Sequence, residues 1–345
     1  MKQKLIWVKV AGLCLLLLLV MVFAISVGSA DLSMWDSLQL VLSKVPVFGS
    51  MTDVSELAAT YEKIIWQVRM PRILTSALVG GALAIVGATF QGVFQNSLAD
   101  PHILGVSSGA ALGATFAMLT GVSVSFMGLG TIGVFAFLGA LVTVFLVYRV
   151  AGVGGQISTT NMLLTGTAIS TLLSSIISLL MTFNREQIAK VYMWTMGSFS
   201  SSTWEKVGFL GAFVFVGTVI LFMYSGKLNI LMMGEEDAQC LGVDVSKTKT
   251  CLIITSSLLV AASVSVSGII GFVGLIIPHC VRLMCGSDNR KLMPYVFFIG
   301  AIFLVICDTL ARTIAAPTEI PVGIITAIFG APYFVVLVAT RKRKI

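Results

Sequence analysis

Between residues 10 and 340 the chain passes ten times through a mainly apolar stretch long enough to cross a bilayer as a helix, and this recurrence limits what it can fold into. A spanning helix needs roughly 20 such residues, a barrel strand only about 9–11. In hydrocarbon every backbone N–H and C=O must find a partner inside the protein, so stretches of this length read as helices. They lie at 10–28, 72–91, 103–120, 131–149, 161–182, 206–224, 250–268, 270–285, 292–311 and 321–340. Only 11% of the residues are charged, against about 25% in ordinary globular domains. The expectation is an all-α membrane protein of ten transmembrane helices, a single domain over residues 1–345.

The first stretch follows Lys2, Lys4 and Lys9 and ends near Ser29-Ala30, in the manner of a secretory signal. Its apolar run exceeds the roughly 7–15 residues of a signal core, so it is read as an uncleaved span. Orientation follows the excess of Lys and Arg on the cytoplasmic side. With the N-terminus inside, 14 of the 22 basic residues are cytoplasmic, including Lys227, Lys247, Lys249, Arg290, Lys291 and the Arg341–Lys344 tail, and both termini face the cytoplasm. The net charge of +7 comes mostly from this bias. The tail is expected to lie against anionic membrane lipid, and nucleic acid is not implied. The six cysteines fall in spans or on the cytoplasmic side, where disulfides are rare, and read as packing residues.

Two outer segments, 31–66 and 183–205, are long enough to fold and carry Trp35, Trp66, Trp194 and Trp204, which suit a membrane interface. The largest inner connection, 225–250, holds a short acidic helix candidate between Gly234 and Gly242. From Gly80 to Gly109 a polar break, with Gln95, Asn96, Asp100 and Pro101, interrupts the apolar pattern. Broken backbone at membrane depth is tolerated only where protein buries it or water wets it, so the break suggests a path. Gly105, Gly109 and Gly113 recur at steps of four and leave one helix face nearly bare, which suits close packing within the chain more than a dimer seam.

Arg69-Met70-Pro71-Arg72 opens the second span at its outer mouth, where proline suits a first helical turn, and Arg312 lies on the same side. These arginines either snorkel at helix ends or receive carboxylates of a soluble partner. Asp308, one turn before Arg312, reads equally as an intrahelical ion pair and as a functional intramembrane charge. His102 and His279 lack ligand-spaced partners and read as capping or packing residues. No phosphate-cradling glycine loop is present, so the chain does not hydrolyse ATP by that route and carries no catalytic residue set.

Six blocks in order resemble the permease subunits of ABC importers for iron-siderophores, haem and vitamin B12: Arg69–Arg72, Gly80–Gly109, Trp194–Ser198, Gly234–Val243, Gly268–Arg282 and Asp308–Pro332. The resemblance implies a ten-helix subunit that dimerises around a central translocation path, as a homodimer more readily than a heterodimer. It further implies two cytoplasmic ATPase subunits, which bind the ATP and Mg, and an extracytoplasmic substrate-binding protein; this chain itself is expected to hold no cofactor or metal. Residue by residue, Arg69, Arg72 and Arg312 fall where the family receives glutamates of the binding protein. Gly234, Glu235, Glu236, Ala238, Leu241 and Gly242 fall on the helix that seats in the ATPase. Asn96 with Leu98, and Thr159 with Thr160, fall at cytoplasmic gates, helix capping by the threonines being the alternative. Ser97 stands where the family usually has proline and Gln95 where it often has arginine, changes expected to loosen and neutralise the turn.

The resulting expectation is a subunit of the bacterial cytoplasmic membrane importing an iron(III)-siderophore, with haem and cobalamin as alternatives. An ion-coupled secondary transporter would need embedded carboxylates or broken helices at mid-depth, for which only Asp308 and Asp100 offer themselves.

Overall fold

The computed structural model describes residues 2–28, 33–44, 59–152 and 158–341. In chain order its α-helices are α1 (Lys2–Ser26), α2 (Met34–Leu42), α3 (Ala59–Lys63), α4 (Met70–Val93), α5 (Val106–Thr120), α6 (Thr131–Ala151) and α7 (Thr159–Phe183). Then come α8 (Ile188–Thr195), α9 (Trp204–Leu231), α10 (Glu235–Cys240), α11 (Val245–Ser267), α12 (Val273–Cys285), α13 (Asn289–Thr313) and α14 (Val322–Arg341). Each of the ten predicted stretches coincides with a helix. Among the described residues seven helices are long and apolar enough to cross a membrane, whereas α5, α12 and α14 are apolar but shorter. With 13 residues, α12 is about 20 Å long, less than the roughly 30 Å of hydrocarbon. The cause is local: Gly268 and Phe272 adopt positive φ and delay the helix to Val273. The side chains of Lys2 and Lys4, residues 45–58 of the first outer segment and the Lys342–Lys344 tail lie outside the described residues.

The two ends of the bundle are chemically distinct. At one, the Gln95 side chain donates to the Leu231 carbonyl (2.8 Å), and Asn229 joins Asp288 and Asn289 (2.8–2.9 Å), so the ends of α4 and α9 meet the start of α13 next to α10. At the other, Arg72 of α4 meets Asp308 of α13, and Arg312 reaches the end of α1. Helix directions therefore place the start of α1, the end of α14 and α10 at a common end. The 225–250 connection is shorter than expected, because α9 continues through Leu231 before Gly234 turns the chain into α10.

The core forms around α4, which is buried along almost its whole length, with α9, α11, α12 and α13 against it. Backbones approach to near contact: a Cβ on Gly87 would collide with the Gly274 carbonyl of α12, and one on Gly80 with the Gly300 carbonyl of α13. The glycine stripe of α5 meets α6, since Gly109 faces Gly139 and Thr143 and Gly113 faces the Phe135 carbonyl. It is an internal seam, as its spacing suggested. Just before Pro71, which has no N–H, the ladder widens to one π-helical segment (Ile64–Arg69) in which the Met70 N–H reaches the Ile65 carbonyl.

Candidate functional site

At the arginine end the three guanidiniums are drawn inward. The last carbonyls of α1 have no partner within that helix. Arg69 Nη1 donates to those of Ile25 (2.5 Å) and Ser26 (3.3 Å), and Arg312 Nη2 to that of Ala24. Cations at a helix C-terminus also suit its dipole. Both guanidiniums converge on Gly28, where a Cβ would lie 2.6 Å from Arg69 Nη2 and 3.3 Å from Arg312 Nη1. Arg72 is buried and grips Asp308 through Nε and Nη2 (2.9–3.1 Å) while Nη1 binds Glu319 at 2.7 Å. The partner of Asp308 is therefore Arg72 across two helices, not Arg312 on its own, because α4 and α13 bring the fork to the carboxylate in bidentate geometry. Arg69 and Arg72 are not snorkelling; in this structure each is hydrogen-bonded within the fold.

Glu319 belongs also to a polar cleft of about 380 Å³ bounded by Lys190, Trp194, Ser198, Ser201 and Ser267. The Trp194–Ser198 block explains how this cleft is held. Ser198 N–H donates to the Ser267 carbonyl (2.8 Å), and the N–H groups of Val322 and Gly323 donate to Gly197 and Met196 (3.1 and 3.0 Å), so one turn clamps α11 to α14. Beside it the Trp66 and Trp204 rings stack with centroids 6.2 Å apart.

At the opposite end the polar break is tied, not slack. Asn96 Oδ1 accepts from the Leu98 N–H (2.9 Å), Asp100 Oδ1 from the His102 N–H (2.8 Å), and Gln95, at φ +48°, is pinned through its side chain to Leu231. Side-chain bonds of Gln95 and Asn96 tie the turn that lacks the proline. Both nitrogens of His102 are bound, to the Ile270 carbonyl (3.0 Å) and the Ser107 hydroxyl, a packing role. Thr159 and Thr160 are not caps: Ser158 holds the N-cap position and Thr160 is exposed, on the same end as Asn96 and Leu98.

Within the acidic helix Ala238 is fully buried and anchors α10 to the core, so it faces its own chain and not a partner. Glu235 is paired with the buried Lys249 at 2.5 Å. Glu236, Leu241 and Gly242, together with Met233, face outward. Asp244, capping α11, has its carboxyl held below the ordinary range by hydrogen bonds from the Lys247 amide and side chain.

One element has a surface that sequence reasoning passed over. Only 6% of the apolar window of α7 is buried, against 89% for residues 60–93. Its exposed surface divides into an apolar stripe (Leu172, Leu179) and, about 100° away around the helix, a hydroxyl stripe of Thr160, Thr167, Thr171, Ser174, Ser178 and Thr182, which Leu164 interrupts. The hydroxyl protons of Thr167, Thr171, Ser178 and Thr182 go back to carbonyls one turn earlier (2.9–3.0 Å), which leaves oxygen lone pairs facing out. By contrast α6 exposes Leu138, Val142, Phe145 and Val150, a lipid-like surface. The stripe was readable as Ser and Thr at steps of three and four.

The model of the FecCD transport family matches residues 16–340. The chain belongs to that family. The cobalamin import system permease protein of Halobacterium salinarum is 44% identical over 89% of this chain and 80% of its own length. The molybdate import system permease protein of Haemophilus influenzae is 37% identical (96% of this chain and 95% of its own), and the hemin transport system permease protein of Yersinia pestis 34% (95% and 95%). A solved metal-chelate type ABC transporter in an inward-facing conformation superposes with a TM-score of 0.82 at 35% identity, over 96% of this chain and 99% of that one. The protein is thus a permease subunit of a type II ABC importer, a class whose members work with an ATPase and a substrate-binding protein.

Proposed function

We propose that this permease carries a bulky metal chelate across the bacterial cytoplasmic membrane, with two copies placing their α7 hydroxyl stripes around a shared path. The exposed stripe carries the reading: a surface of oxygen acceptors without charge is poor lipid surface but wets a passage without trapping an ionic cargo. The apolar stripe beside it, with Leu172 and Leu179, faces the second copy, and a homodimer is the simplest closed arrangement. Within the cargo class a corrinoid ranks first, supported by the 44% identity to a cobalamin permease, and an iron(III)-siderophore second; haem follows.

Energy enters at the α10 end, where Glu236, Leu241 and Gly242 offer the surface for the ATPase and Asn96, Leu98, Thr159 and Thr160 form the inner gate. The ATPase, not this chain, binds ATP and Mg. At the outer end Arg69, Arg72 and Arg312 receive carboxylates of the binding protein. For Arg72 such a carboxylate takes the place of Glu319, the exposed member of the cluster, while Asp308 stays in place. Releasing Glu319 alters the wall of the cleft beside Trp194, which links docking to the outer mouth.

The test is uptake into liposomes holding this permease with its ATPase and binding protein, with cobalamin, a ferric siderophore and haem offered separately. ATP-dependent uptake of one of them, reduced by Thr171→Leu with Ser178→Leu, is expected. Uptake that ignores ATP and follows an ion gradient would replace this reading by the ion-coupled transporter.

A further inference from the structure

Between α1, α12 and α13, at the end that carries α10, lies a cavity of about 350 Å³ that the transport reading does not use. Its floor is apolar, formed by Val281 and Ile299 with Met284 at the outer edge, and its rim carries Lys9 and Lys291 from two different helices. The volume falls within the roughly 300–1,000 Å³ of small-molecule sites, and an apolar base with a few polar groups above it is their usual composition.

The charges facing this cavity are unbalanced. Lys9 and Lys291 line it beside Cys285 with no acid among the lining residues, and Asp288, three positions before Lys291, is the nearest acid along the chain. Its Oδ1 accepts from the Asn229 side chain (2.8 Å) and the Arg290 N–H (3.1 Å), and its Oδ2 pairs with Lys291 at 3.4 Å, so one acid stands against two lysines. Among the described residues Lys9 forms no ion pair. On the membrane side, Leu283 and Met284 project from the last turn of α12, 75% and 78% exposed, directly next to the basic rim.

Two ammonium groups above a greasy floor, opening beside exposed aliphatic side chains at the end of a span, match the layered chemistry of one ligand class. A free phosphate would use the lysines and leave Met284 and Ile299 in water. A neutral lipid would cover the floor and leave the lysines facing each other. A phospholipid of net negative charge satisfies both. We propose that this cavity binds one anionic phospholipid of the leaflet at the α10 end, its phosphate between Lys9 and Lys291 and the first methylenes of its acyl chains over Met284 and Ile299. Basic pockets between spans on the cytoplasmic side are suited to such headgroups, and each lysine adds to the attraction. The bound lipid fills the wedge between α1 and the α12–α13 pair and so ties the first span to the bundle.

The experiment uses the purified full chain in detergent, stripped of lipid and then mixed with phosphatidylglycerol, phosphatidylcholine or inorganic phosphate, and followed by native mass spectrometry. One phosphatidylglycerol per chain is expected to survive where phosphatidylcholine does not. Lys9→Gln with Lys291→Gln should weaken it by about 30-fold, the value expected for two interfacial lysines, while Lys227→Gln with Lys247→Gln leaves it unchanged. Because those lysines are exposed or half-exposed, the variants retain the fold. A second readout needs no mutation: phosphatidylglycerol should slow maleimide labelling at Cys285 and phosphatidylcholine should not. Equal retention of both lipids, a double variant that keeps its phosphatidylglycerol, or Cys285 labelling indifferent to lipid would overturn the proposal. Competition by inorganic phosphate at millimolar concentration would show an anion site with no lipid specificity and overturn it equally.

Discussion

Replacing Asp308 with asparagine removes one charge at the crossing of α4 and α13 and leaves the shape of the side chain intact. In the native protein Asp308 is 2% exposed and holds the Arg72 fork through three contacts of 2.9–3.1 Å, whereas Glu319 is 42% exposed and makes one at 2.7 Å. Stranding one partner of a buried pair costs about 3–5 kcal/mol. Arg72 would keep Glu319, so the lower figure, about 3 kcal/mol, applies to Asp308→Asn. For a chain of this size that corresponds to a fall in Tm of about 4 °C. Glu319→Gln breaks a half-exposed contact, worth at most about 1 kcal/mol after screening by solvent, and should move Tm by about 2 °C or less. The double variant Arg72→Met with Asp308→Leu removes both charges and should return close to native stability, since an apolar pair of similar volume can stand in for a buried ion pair. Thermal unfolding of the detergent-solubilised protein, read by reaction of the buried Cys307 next to Asp308, measures all three. If Asp308→Asn and Glu319→Gln proved equally mild, the view of Asp308 as the fixed anchor and Glu319 as the exchangeable partner would be wrong.

Three further outcomes are expected. Gly87→Val forces a side chain into the Gly274 carbonyl, and the overpacking, about 1–3 kcal/mol or more, should appear as a lower Tm and poor insertion, whereas Gly271→Val, with nothing within 4 Å, should be tolerated. Leu241→Glu on the exposed face of α10 should abolish ATPase stimulation and recovery of the ATPase in pulldown while leaving Tm unchanged; normal coupling in that variant would remove α10 from the energy-input surface. Burial raises the Asp288 carboxyl, but hydrogen bonds from Asn229 and the Arg290 amide outweigh it and leave it below the ordinary 3.8. Its stabilisation is therefore present above the unfolded-state value and lost as pH falls through the folded one, so unfolding profiles of wild type and Asp288→Asn should converge below about pH 4.

Hydropathy located the helices well because a span is recognised by composition alone: residues 131–149 became α6 (Thr131–Ala151) and 161–182 became α7 (Thr159–Phe183). It placed ends less well where backbone geometry decides. The start of α12 moved to Val273 because Phe272 turns to positive φ, and α9 ran on to Leu231 because nothing before Gly234 stops it. The α5 stripe of Gly109 and Gly113 was assigned to internal packing from its spacing, and the partner, α6, emerged only from the fold. The α7 hydroxyls were present in the sequence at helical spacing, but a Ser or Thr that bonds back to its own helix looks the same whether lipid, protein or water lies opposite.

What the sequence determined by itself was the class of protein and its helices, because these depend on local composition and on the order of short motifs. The tertiary structure alone decided which charges are buried in pairs and which stay exposed. Arg72 and Asp308 are separated by 236 positions, and Arg69 and Arg312 reach carbonyls of a helix that begins at Lys2. A guanidinium seeks the best-placed acceptor in a medium of low dielectric, and which acceptor that is depends on how the helices cross, a property no window of sequence contains.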